Sequence, residues 1–109
     1  MRVLRFLVDK QLICRDPACD FSGLVPGTRG YLQAEFSFSP EWEGCVKVAS
    51  FLSLQDKEFP PQVLKDGKTC MIPEEALKYR KFKVKVIGKK GSLRIPTNEV
   101  TVNQNGGKV

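Results

Sequence analysis

The sequence predicts an all-β protein, an immunoglobulin-like antiparallel β-sandwich with one short helical turn, and three observations carry that expectation. Apolar residues recur at every second position in two clear stretches. Leu32, Ala34, Phe36 and Phe38 alternate with Gln33, Glu35 and Ser37, and Phe82, Val84 and Val86 alternate with Lys83 and Lys85. Turn residues punctuate the chain at intervals of about ten residues, the spacing of a sandwich or barrel. No segment reads as a helix long enough to cross between parallel strands, which disfavours an α/β fold.

In chain order, Val3 to Val8 is an apolar run with Arg5 inside it, and Leu12 to Cys14 is a second short extended piece. DPACDFSGLVPGTRG holds two prolines and three glycines and reads as a long loop. After the alternating strand at 32–38, Ser39-Pro40-Glu41-Trp42-Glu43-Gly44 forms a tight connection. There Trp42 is expected at the sheet edge or over the mouth of the core, and Gly44 supplies a positive φ. Cys45 to Leu54 is strand-like with mixed phase, which implies burial on both faces or a bulge near Ser50. Pro60-Pro61 forces extended backbone, and Asp66-Gly67 signals a hairpin between Gln62–Leu64 and Thr69–Ile72.

Pro73-Glu74-Glu75-Ala76-Leu77 fits a single helical turn, with proline first and acids in the first turn. Phe82 to Gly88 is a strand, Lys89-Lys90-Gly91-Ser92 its hairpin loop, and Leu93 to Val102 its partner, broken at Pro96-Thr97-Asn98. The expected organisation is one domain over 1–102 and a flexible, glycine-rich tail over 103–109.

A chain of 109 residues with 41% hydrophobic and 28% charged residues is long enough for one real core. No run approaches the ~20 apolar residues of a membrane span, and the charged N-terminal stretch does not read as a signal peptide, so a cytosol-like compartment is expected. Histidine is absent, which removes the commonest general base, the commonest metal ligand and every Ser-His or Cys-His pair. Cys14, Cys19, Cys45 and Cys70 lack the paired close spacing of a zinc site, and without an export signal a disulfide scaffold is not expected. Cys45 and Cys70 read as small buried apolar residues, Cys14 and Cys19 as thiols flanking a turn. Neither a phosphate-binding glycine loop nor a calcium loop is present, and no converging set of polar residues can be assembled for catalysis. The expectation is a non-enzymatic protein without cofactor or metal.

The net charge of +6 concentrates in KYRKFKVKVIGKK. Lys81, Lys83 and Lys85 face away from Phe82, Val84 and Val86, either as the solvated face of a half-buried strand or as a basic stripe that meets a partner. No aromatic platform accompanies them, which weakens a nucleic-acid reading. Phe21, Leu24 and Val25 lie in the long loop. They either fold back to close the sandwich or form a contact surface, and a contact surface is expected.

FSFSPEWEGCVKVASF resembles a segment of the small immunoglobulin-like virion structural proteins of bacteriophages that infect Gram-positive hosts: an aromatic strand, S-P-E-W-E-G, then an apolar strand ending in phenylalanine. Cys70-Met71-Ile72-Pro73-Glu74-Glu75-Ala76-Leu77, Val84-Lys85-Val86-Ile87-Gly88 and Thr97-Asn98 extend the resemblance over roughly 30–102. The pattern is also similar to the N-terminal β-sandwich of phage upper baseplate proteins.

The resemblance implies a multi-copy structural subunit of the virion, made in the host bacterial cytoplasm, that binds capsid, portal, collar or baseplate proteins. The larger baseplate proteins continue into coiled coil or receptor-linked modules. A chain that stops at Val109 therefore implies a decoration, collar or adaptor subunit. The alternative is a basic phage-encoded protein that binds nucleic acid or a host factor. Partner-binding residues are expected among Phe21, Leu24, Val25, Lys81, Lys83 and Lys85.

Overall fold

The computed structural model describes Met1–Val109. It contains nine strands: β1 (Arg2–Asp9), β2 (Leu12–Arg15), β3 (Leu32–Phe38), β4 (Val46–Leu52), β5 (Gln62–Val63), β6 (Thr69–Met71), β7 (Lys81–Lys90), β8 (Leu93–Pro96) and β9 (Val100–Asn103). They form two sheets that pack as a β-sandwich. The first has the order β2-β1-β3-β6; the second has the order β5-β4-β7-β8, with β9 also paired to β7. The alternation at 32–38 and 82–86 is what fills the space between them. Ala34, Phe36, Phe82, Val84 and Val86 point inward and are essentially inaccessible, while their polar neighbours line the outer faces. Phe6 stacks on Phe36 at 5.2 Å between ring centroids within the first sheet, and Phe51 meets Phe82 at 6.3 Å within the second.

The wholly antiparallel expectation needs one correction. β1 and β3 run parallel, in register from Arg2–Leu32 to Val8–Phe38. The cause is the loop over 16–31, which continues past β2 along the edge of β1 and delivers Leu32 beside Arg2 instead of beside Asp9. That loop replaces the missing ladder with its own groups. The Asp16 N–H donates to Arg5 O, the Cys19 thiol accepts from the Arg5 N–H at 3.3 Å and contacts Val3 O at 3.6 Å, and Arg2 reaches the carbonyls of Asp20 and Ser22.

β4 runs without a bulge, in unbroken register from Val46–Lys89 to Leu52–Lys83. Its mixed phase reflects burial on both faces at its end, where Ser50, Phe51, Leu52 and Ser53 are all buried. The Ser53 hydroxyl accepts the N–H groups of Gln55 and Lys57, which closes the following turn and leaves Asp56 in the left-handed region at φ 67°. The break between β8 and β9 is bridged by Thr97, which exchanges two hydrogen bonds with the backbone of Val86. Beside it, Asn98 binds Gln11 O and the Ile13 N–H, tying the second sheet to β2.

The expected helical turn is a 3₁₀ turn at Ala76–Lys78, and a second one spans Pro40–Trp42. The 103–109 segment, expected to be a flexible tail, is instead tied in. β9 reaches Asn103, Gln104 is buried, and the Lys108 backbone exchanges hydrogen bonds with Lys78 and Arg80. Gly106 and Gly107, at φ 96° and 105°, make the turn that brings Lys108 back.

Candidate functional site

The structure separates the six residues expected to bind a partner into two groups on different surfaces. In the long loop, Leu24 is 3% exposed and belongs to the core, so the expected contact role for it is corrected: a side chain sealed between the sheets presents nothing to a partner. Its carbonyl accepts the Asn105 N–H at 2.7 Å. Phe21 is half-buried, its ring edge-on to Phe6 at 5.5 Å and covered by the Arg15 guanidinium at 5.5 Å. Val25 alone of the three points outward, 60% exposed.

The lysines of β7 differ just as much among themselves. Lys81 is exposed and Lys85 half-buried, and no carboxylate lies within ion-pairing distance of either. Lys83 is engaged. Its ammonium bonds the Asp56 carboxylate and lies 3.2 Å from Glu99 Oε1, which leaves its side chain only 15% exposed. The Asp56 bond, and then the Glu99 contact, raise the Lys83 pKa above its ordinary value. The Lys83 hydrogen bond in turn lowers the Asp56 pKa.

Pairing register shows what stands next to Lys85. Antiparallel partners share a face, so Val63, Val48, Ile87 and Pro96 form one straight aliphatic row across β5, β4, β7 and β8 on the outer face of the second sheet. With strands about 4.8 Å apart, the row is about 14 Å long. Val63 is 68% exposed, and Val48, Ile87 and Pro96 are half-buried. The adjoining register on one side is Val46, Lys89 and Arg94; on the other it is Ser50 and Lys85. Lys89 and Arg94, like Lys85, have no acidic partner. The outer face of the second sheet thus carries an apolar strip bordered by cations with no carboxylate within ion-pairing distance. Its cationic half was visible in the sequence. The apolar half was signalled only by Ile87, which occupies the outward phase otherwise held by lysines. Compared with protein-family models, curated proteins and solved structures, the chain matches none.

An open cleft of about 580 Å³ lies between the end of β3 and the turn at Asp66–Lys68, with Trp42 among its lining residues. Some of its polar groups already have internal contacts, whereas Glu43, Asp66 and Lys68 have no ion-pair partner. Glu35 lies 3.7 Å from Arg5, Lys47 sits over the Phe38 ring, and the Ser39 hydroxyl accepts the Lys10 N–H at 2.8 Å. All four cysteines are free thiols. Burial pushes the Cys70 thiol up to about 12, which makes it a poor nucleophile. No three His, Cys, Asp or Glu side chains converge to hold a metal ion.

Proposed function

We propose that this chain is a non-enzymatic structural subunit of a bacteriophage particle that works by binding other virion proteins. The observation that carries the binding role is the outward-facing aliphatic row Val63–Val48–Ile87–Pro96, exposed at Val63 and half-buried at the other three, bordered by cations with no acidic partner. Outward-facing apolar strips rimmed by polar residues are features of surfaces that meet another protein. The virion setting rests on the resemblance of FSFSPEWEGCVKVASF and the segments after it to phage structural proteins. Mass spectrometry of purified particles tests the reading: the chain present at stoichiometric copy number supports it, and its absence from the particle removes it.

A second reading, a basic protein that binds nucleic acid or a host factor during infection, draws on the same cations, since Lys81, Lys85, Lys89 and Arg94 are free of acidic partners. Binding of duplex or single-stranded DNA whose affinity falls steeply with salt would favour it.

A further inference from the structure

We propose that the outer face of the β4–β7 sheet docks an acidic protein partner, one whose aliphatic side chains are flanked by carboxylates. The inference rests on the protein-binding reading above and names the chemistry of the partner.

Three features of the face select that chemistry. The row through Val48 and Ile87 offers aliphatic surface and no aromatic ring, so it has nothing on which a nucleic-acid base can stack. On either side of the row stand cations without internal partners, Lys85 along one flank and Lys89 with Arg94 along the other. A second copy of this chain is a poor occupant. Two such faces laid together with their strands aligned oppose lysine with lysine, and like charges brought together in an interface disfavour it. A partner with carboxylates on both sides of an apolar strip meets all three conditions.

The next register sets a limit on where that partner sits. Lys83 is occupied by Asp56 and Glu99, and the Asp56 carboxylate is itself 71% exposed. A carboxylate-bearing partner is repelled there and held toward the Lys85–Lys89 half of the sheet. The ion pair at Lys83 therefore serves as a boundary of the binding face as well as a surface contact.

The test uses the whole protein and amide NMR. The probe is a synthetic helical peptide with a leucine stripe bordered on both sides by glutamate. The expected result is shifts confined to amides at 46–48, 63, 85–89 and 94–95, with binding weakened about tenfold or more by Lys85→Glu with Lys89→Glu. Lys85→Gln with Lys89→Gln is the milder companion variant, expected to weaken binding less, and the amide spectrum of each variant reports that it is folded. The same peptide with lysine in place of glutamate is expected to leave these amides unmoved.

No shift with the glutamate peptide overturns the inference. So does equal response to the lysine peptide, or tighter binding of a single-stranded oligonucleotide to the same amides. Peptide binding at this face by a chain absent from particles keeps the inference and removes the virion reading. Presence in particles without peptide binding does the reverse.

Discussion

Trp42 lies flat against Gly88, so close that a Cβ at position 88 would stand 2.7 Å from the indole Cζ3 and 2.8 Å from Cε3. The indole is wholly buried, packs on Phe38 at 5.0 Å, and donates its Nε1–H to Lys10 O in the β1–β2 turn. One side chain thus joins the turn of the first sheet to the central strand of the second. Glycine is required in the middle of β7 because the ring takes the space of its side chain. Trp42→Ala is expected to cost about 3–5 kcal/mol and Gly88→Ala about 1–3 kcal/mol in chemical denaturation. In the Trp42→Ala background, Gly88→Ala should cost little, because the clash is gone. Equal costs of Gly88→Ala in both backgrounds would show that the contact does not constrain position 88.

How much of this was legible beforehand follows from the range of each interaction. The alternation at 32–38 and 82–86 identified the strands that enclose the core, since period-two burial is a local property. The clustering of Pro73-Glu74-Glu75-Ala76-Leu77 likewise located the 3₁₀ turn. The parallel β1–β3 pairing was hidden, because it depends on where a loop with no periodicity sets the chain down. Leu24 was ambiguous for the same reason: a leucine between Gly23 and Val25 carries no phase to say which way it points. The aliphatic row is assembled from four strands, so no window of sequence contains it.

Leu24 and Val25 are neighbours with opposite fates, which makes them a matched pair for testing the loop. Leu24→Ser is expected to cost about 2–5 kcal/mol, with a cavity and an added hydroxyl in the core. Val25→Ser, at a 60% exposed position, should stay within about 0.5 kcal/mol. Thermal unfolding of the two variants reads the difference directly. Comparable effects would mean that the loop does not seal the sandwich as described.

The Lys83 network predicts a defined pH dependence. Asp56 has its pKa lowered chiefly by the hydrogen bond from Lys83, so its contribution is present above the ordinary value of 3.8 and is lost as pH falls through the lowered folded value. Lys83 has its pKa raised chiefly by Asp56, so its contribution is present below 10.5 and is lost as pH rises through the raised value. Asp56→Asn should therefore narrow its stability gap to the parent at both extremes and show it most between about pH 4 and 10. The gap should shrink in high salt, as befits a pair with an exposed carboxylate. A gap independent of pH and salt would assign the effect to the turn at Asp56 instead of the ion pair.

Thiol chemistry offers an independent reading of the core. Cys14 is exposed, whereas Cys70 is 8% exposed with its pKa pushed up to about 12 by burial. At pH 8 that leaves about one Cys70 thiol in ten thousand ionised, so alkylation should mark Cys14 promptly and Cys70 only on unfolding. Above pH 9.0 the unfolded chain ionises this thiol while the folded chain does not, so this group subtracts stability as pH climbs toward 12. Cys70→Ala should flatten that alkaline loss. Rapid labelling of Cys70 at neutral pH would mean that β6 opens readily.

The C-terminal segment is held by a buried side-chain amide as well as by backbone hydrogen bonds. Gln104 Nε2 donates to Leu77 O at 3.0 Å, which also accepts the Gly27 N–H, and to Tyr79 O at 2.8 Å, while its own Oε1 is buried without a partner. Removing the donor strands the Tyr79 carbonyl, while Leu77 O keeps the Gly27 N–H at 3.0 Å, so Gln104→Ala is expected to cost about 1–3 kcal/mol. Gln104→Glu sharpens the test. At neutral pH a carboxylate there faces two carbonyl oxygens and should destabilise at least as much as alanine does. Protonation at low pH restores one O–H donor and should recover part of the loss, a pH response that Gln104→Ala lacks. Ending the chain after Asn103 removes this amide together with the Lys108 hydrogen bonds to Lys78 and Arg80. That truncation should lower the melting temperature by more than Gln104→Ala does. An unchanged melting temperature in the truncated protein would return 103–109 to the role of a free tail.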